Sequence, residues 1–359
     1  MEKTKSFYIF TGVFAGLLFG VATPLNKMLI SQMNPFDLAG LLYLGAGISM
    51  VPFVIIRGKK FVEIIANKKQ IKLILGVVLF GGLFAPLLLL MGLRIANSAS
   101  VSIFLNMELV ATAIIGVMLF KDQVDRFSLI GLILTVFAGL IVTLSEGHSS
   151  IIAGLFVVGA CICWGVDNNL TAIIDGITPQ QMTFIKGIFA GSINLLIGLS
   201  INRLPVAHSI IFYAILIGMI SYGISIVLYI VTAQQIGATR GQILFATAPF
   251  WGILFAFLLL KSEITIAQII AIMLLAGGIL FTSVLVHEHE HTHEEIEHIH
   301  MHSHNDDHHN HTHEYEVAPN VRHTHMHKHE KITHTHKHFP DLHHRHSHNS
   351  IVQQIMRVK

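Results

Sequence analysis

Four ionisable side chains interrupt otherwise apolar stretches in the first 286 residues: Lys27, Glu108, Asp167 and Lys186. A charge at membrane depth costs roughly 2.5–3.5 kcal/mol on insertion scales, so it faces a polar interior rather than lipid. Asp167 is followed by Asn168 and Asn169, which makes one polar turn in an apolar run. The chemistry on offer is recognition of a small solute. Lys27 or Lys186 suits an anionic group, and Glu108 or Asp167, with Asn168 beside it, suits an amine or a proton. The plainer reading is that these residues pair with one another and hold a bundle together; Lys27 could also snorkel to the interface. Arg94 and Arg240 fit interfacial anchors. Asn106, Gln242 and Thr247 are weaker cavity candidates, and Trp164 and Trp251 suit packing as well as binding. No nucleophile–base set, phosphate loop or HExxH motif occurs, so the expectation is no enzyme.

A second chemistry lies at the end of the chain. Of 25 histidines, 23 fall between His287 and His348. They alternate with other residues in runs: His287, His289, His291, His293; His298, His300, His302, His304; His323, His325, His327, His329; His334, His336, His338; then His343, His344, His346, His348. In an extended chain i and i+2 share a face, so each run presents a row of imidazoles. Neutral imidazole suits Zn, Ni, Co or Cu, and with a reference pKa of about 6.5 most would be neutral in cytosol. Glu, Asp, Thr and Lys are interleaved, unlike a contiguous purification tag. Few large apolar residues occur here, so the expectation for 287–359 is disorder without metal. The two other histidines, His148 and His208, fall in expected outer loops.

The elements that must position these groups follow from length and composition. The chain has 359 residues, 53% apolar and 12% charged, against about 25% charged in soluble proteins. Its apolar blocks are about 20 residues long, enough to cross a bilayer. Helices are expected at 7–30, 37–56, 71–93, 97–120, 126–145, 150–174, 182–201, 208–232, 239–260 and 264–286. The first is read as a retained helix rather than a signal peptide. Cys161 and Cys163 are two small apolar side chains, not a disulfide. A net charge of +2 gives no reason to expect a nucleic-acid partner. Lys3, Lys5, Arg57, Lys59, Lys60, Lys68, Lys69, Lys72, Lys121 and Arg126 fall on one side of such a bundle. That basic side is cytoplasmic, so both termini are expected inside the cell membrane.

The chain also repeats itself. Phe19-Gly20-Val21-Ala22-Thr23-Pro24-Leu25 echoes Trp164-Gly165-Val166-Asp167-Asn168-Asn169-Leu170, and Ala96–Lys121 echoes Gly237–Lys261. Five helices per copy is an odd number, so the second copy inserts upside down. Inverted repeats of this kind are characteristic of secondary transporters, with a site near the midplane.

These residues resemble the drug/metabolite transporter superfamily, EamA type. Phe19-Gly20 with Lys27 stands where that family's first helix typically reads Trp-Gly, six residues, Lys. The second copy keeps Trp164-Gly165 and lacks the Lys. Glu108-Leu109 with Asp122, and Ala248-Pro249 with Glu263, resemble the family's fourth-helix pattern. The resemblance implies an all-α membrane protein of ten helices: a first EamA repeat at 7–145, a second at 150–286, then the histidine-rich cytoplasmic tail at 287–359. It implies transport of a small organic solute, such as an amino acid, metabolite or toxic compound, with no cofactor required. Members of the superfamily work as single chains or as homodimers, and both stay open here. Two rivals remain: a divalent transition-metal transporter (Zn, Ni or Co) fed by the tail, and a non-transporting membrane metal sensor.

Overall fold

Long apolar runs in lipid must satisfy their backbone internally, which leaves the helix as the local solution. The computed structural model describes residues 2–56, 68–120, 126–174, 177–201, 207–236, 241 and 244–283, together with 287–293, 296–302, 323–329 and 332–338. The chain divides into two units, Met1–Leu285 and Val286–Lys359.

The first unit is all helix among its described residues. Its segments are α1 (Glu2–Gly20), α2 (Ala22–Leu29), α3 (Pro35–Ile56), α4 (Lys68–Val77), α5 (Ala85–Ile95), α6 (Ser98–Phe104) and α7 (Met107–Ile115). Then come α8 (Arg126–Glu146), α9 (His148–Ala172), α10 (Pro179–Ile201), α11 (His208–Ile217), α12 (Ser225–Ile236), α13 (Ala248–Leu260) and α14 (Ile266–Ser283). Among the described residues, eight helical stretches are long and apolar enough to cross a membrane, and they carry the first eight expected spans. The other two, Ala248–Leu260 and Ile266–Phe281, are shorter apolar helices. The expected 239–260 is not one even rod, because it tightens into a turn at Ala246–Thr247, just ahead of Pro249, which has no N–H to donate. Large apolar side chains such as Phe10, Leu144, Leu155 and Ile266 are exposed around the bundle. So much exposed apolar surface is what a lipid-facing exterior requires.

Helix pairs recur in two matching sets. α3 packs on α10, and α8 on α14. α1 packs on α12 and α13, while α9 packs on α5 and α7. The α3–α10 crossing is close enough that a Cβ on Gly187 would overlap the backbone of Gly47, so small residues there set the helix separation. Two π-helical turns, Val78–Phe84 and Gly218–Ile224, join α4 to α5 and α11 to α12 at corresponding points of the two halves. Polar caps also match: Asn34 and Asp37 bond across the start of α3, and Thr178 and Gln181 across the start of α10.

In the second unit, where disorder is the expectation from composition, four strands are described: β1 (His287–His293), β2 (Ile296–His302), β3 (His323–His329) and β4 (Ile332–His338). β1 pairs antiparallel with β4, and β2 with β3. Strict alternation with Thr and Ile is a strand period, and it prevails over the low apolar content at these segments. His304, His343, His344, His346 and His348 lie outside the described residues, as do Arg57, Lys59, Lys60, Lys121, Asp122, Arg240 and Gln242.

Candidate functional site

Three membrane helices are interrupted near one another. Between α1 and α2 the chain turns at Val21, followed by Pro24. Between α6 and α7, the Asn106 amide donates to Ile103 O and the Leu109 amide to Asn106 O, bonds of the tighter i→i+3 kind. Ahead of α13 the same pattern returns, with Thr247 donating to Leu244 O and Phe250 to Thr247 O. Mid-helix 3₁₀ turns of this type mark hinges and sites.

The residues at these breaks line one cavity. Phe19, Gly20 and Thr23 come from the first break, Leu105, Asn106, Glu108 and Leu109 from the second, and Phe245, Ala246, Ala248 and Pro249 from the third. Its polar equipment is sparse and specific. Glu108 Oε1 accepts from Asn168 Nδ2 at 2.9 Å, and Asn168 Nδ2 also reaches Thr112 Oγ1 at 3.3 Å. Glu108 sits in the first turn of α7, where the helix dipole favours a carboxylate. Asn106 is buried, and its Nδ2 has no hydrogen-bond partner. Beside the cavity Phe19 meets Trp164, Tyr222 and Phe245 ring to ring.

Behind Glu108 stands the second polar pair. Lys186 Nζ donates to Asp167 Oδ2 at 2.6 Å, and Thr171 Oγ1 donates to Asp167 Oδ1 at 3.3 Å. The carboxylate fits against α9's neighbour only because residue 81 is glycine; a Cβ there would strike it. The adjoining Gly81 carbonyl has an unusual need. In a π turn its donor would be the amide five residues on, but that residue is Pro86, which has none. Tyr43 Oη donates to it at 2.6 Å and Trp164 Nε1 at 3.2 Å. The matching turn at Gly218–Ile224 has no such proline.

The structure therefore brings Glu108 and Asn168 together at the cavity, with Asp167 and Lys186 paired alongside. Lys27 is apart from them. Its ammonium donates to Leu93 O at 2.7 Å and Ala96 O at 2.8 Å, holding the C-terminal carbonyls of α5. Trp164, for which the sequence left packing and binding equally open, holds the π turn. Tyr43 carried no signal beyond being a tyrosine in an apolar run. Cys161 and Cys163 are free, and Cys161 Sγ lies 3.7 Å from the carbonyls of Phe104 and Leu105 at the second break. A separate polar cluster was not foreseen: Gln268 Nε2 donates to Glu146 Oε1 at 2.9 Å and to Ser100 Oγ at 3.1 Å, joining α14, α8 and α6. Among the residues whose side chains are described, no three of His, Cys, Asp and Glu form a seat for a metal ion.

The chain matches the model of the EamA-like transporter family over residues 6–144 and again over 151–284. An uncharacterized transporter of Methanothermobacter thermautotrophicus is 27% identical over 290 residues, which cover 73% of this chain and 82% of the relative. A protein known by its crystal structure is 15% identical and superposes with a TM-score of 0.57, over 77% of this chain and 96% of that one. At that identity the likeness speaks for the fold alone.

Proposed function

The chain belongs to the EamA-like transporter family, whose members are multi-pass membrane transporters and not enzymes, and on that premise we propose that it carries a small organic metabolite across the cell membrane by alternating access. The solute is an amino acid, a related metabolite or a toxic compound. The carrier works through two inverted five-helix halves, 7–145 and 150–286, ten crossings in all, with both termini cytoplasmic. The matched helix pairs, π turns and broken helices support that arrangement. Discontinuous helices at a midplane site are a recurring device of secondary transporters.

One observation carries the reading of the site. Three broken helices close on a cavity that holds one carboxylate, Glu108, and one unsatisfied amide donor, Asn106. An unpaired buried donor is costly, about 1–3 kcal/mol, unless a ligand takes it up. Glu108 receives a cationic or proton-bearing group of the solute, and Asn168 holds Glu108 in place. Asp167 and Lys186 neutralise one another beside it. Lys27 fastens the end of α5 rather than touching solute. The histidine tail binds transition-metal ions and is not required for solute flux.

Flux into proteoliposomes tests this, with labelled amino acids and radiolabelled Zn and Ni offered together. Organic uptake should survive removal of residues 287–359 and fall at least about tenfold in Glu108→Gln. Metal flux alone, lost in Glu108→Gln, would make the metal the cargo and overturn the reading.

A further inference from the structure

We propose that the tail holds two transition-metal sites, each formed across a pair of antiparallel strands and not within a single histidine run. The proposal rests on the reading that the tail binds metal, and adds where the ions sit and how many there are.

The strand register carries it. On the first ladder His287 stands opposite His338, His289 opposite His336, and His291 opposite His334. On the second, His298 stands opposite His327, His300 opposite His325, and His302 opposite His323. Directly opposed residues share a face, so each ladder places seven histidine positions on one side: six in three consecutive rungs, with His293 opposite Ile332 on the first and His329 opposite Ile296 on the second. Cross-strand partners lie about 4.5–5.5 Å apart at Cβ. Neighbours within a run are two residues, or about 6.6–6.8 Å, apart along the strand. The closest pairs of imidazole-bearing positions are therefore on different strands, and two adjacent rungs supply four positions, the number a tetrahedral zinc ion takes.

The opposite face favours this register over a slip of one. Glu288 pairs with Lys337 on the first ladder, and Glu297 with Lys328 on the second. A slip of one residue would send the histidine run to the other face and set it against Thr, Glu and Lys. A slip of two would keep histidine opposite histidine and, on the first ladder, could trade Glu288 for Glu290 opposite Lys337, so the charge pairs alone do not exclude it. Four runs that look equivalent in the sequence thus become two composite sites. The donors are all imidazole, which selects Zn, Ni, Co or Cu over Mg or Ca. Each ion would tie residues before the undescribed stretch 303–322 to residues after it.

Metal stoichiometry on the full-length protein in detergent decides the matter. Protein is dialysed to equilibrium against Zn²⁺ with a weak competing chelator, and bound zinc is counted per chain, with Ca²⁺ as control. Wild type should hold two tight zinc ions and no calcium. Triple replacement by alanine of His287, His289 and His291 should remove one ion, and so should that of His334, His336 and His338. Combining those two sets should still remove only one, because both belong to the first ladder. Combining the His334 set with alanine at His323, His325 and His327 should remove both. Four tight ions in wild type, or a loss of two when the first ladder alone is stripped, would place the sites within runs and overturn the ladders. No tight zinc in wild type would instead sink the metal-binding reading itself.

Discussion

Replacing Asp167 by Asn keeps the shape of the side chain and removes the partner of Lys186. The two atoms are 2.6 Å apart, with 6% and 13% of the respective side chains exposed. Removing one member of such a buried pair costs about 3–5 kcal/mol, because the other charge stays behind without compensation. One kcal/mol moves a melting point by about 2–4 °C at 150–250 residues. The Asp167→Asn protein should therefore melt on the order of 10 °C lower. Lys186→Met, which leaves the carboxylate stranded against Gly81, should fall by a similar amount. The double variant leaves neither charge of this pair buried and should recover most of the loss, giving a coupling of at least about 2 kcal/mol in a double-mutant cycle. Melting of detergent-purified protein supplies all four corners of the cycle, and flux per folded molecule is read from the same preparations. Single variants that melt within about 2 °C of wild type would refute the assignment of the pair as structural. So would a double variant that melts normally but carries no solute, since that outcome puts Asp167 or Lys186 on the transported molecule.

Gly187→Val drives a branched side chain into the backbone of Gly47, so folded protein recovered from membranes should drop severely, while the same change at the open Gly147 on the helix side of its turn is less informative because of its positive φ. Lys27→Met removes charged donors from the carbonyls of Leu93 and Ala96; a melting shift worth about 1.5–3 kcal/mol is expected, with solute affinity unchanged in binding or flux assays. Tyr43→Phe leaves Gly81 O with Trp164 alone, so the cost should stay near 0.5–1.5 kcal/mol. Adding Trp164→Phe orphans that carbonyl, and the pair should lose more than the sum of the two single changes.

Much of the bundle was legible because membrane helices announce themselves by length. The first eight spans follow from apolar runs of about 20 residues with no competing structure. What the sequence did not carry is rotation. Lys27 and Glu108 look alike in a string, each a charge within an apolar block, yet one faces the end of α5 and the other a cavity. Nothing local distinguishes them, since the difference lies in which neighbour each helix turns toward. The Asp167–Lys186 pair was among the open alternatives, but its partners come from two different helices and could not be matched in advance. Gly81 and Gly82 stand at close helix contacts, and the task of Gly81 in admitting a carboxylate depends on where α9 lies. In the tail the alternation was plain, while the pairing of the first run with the last had to come from the register.

The two halves share their mechanics and divide their chemistry. Both contain a π turn at the same place, and both tighten a helix at the cavity with the same i→i+3 bonds. Pieces that bend alike in both halves are what alternating access asks of a carrier whose two faces open in turn. The side chains at the two tight turns, however, are not symmetric. The tight turn at 106–109 contains a carboxylate, Glu108, whereas its counterpart at 247–250 contains a proline, Pro249. The π turn of the first half needs two side-chain donors because of Pro86, and one of them, Trp164, reaches it from the second half. That bond ties the α9 rod to the hinge of α4 and α5. In this way the residue that resembles the family motif in the second copy acts on the bend in the first, and Glu108 is held through Asn168 on the same rod. A rotation of α9 would therefore move the partner of Glu108 and the partner of the Gly81 carbonyl together, which couples the proposed binding group to the bend.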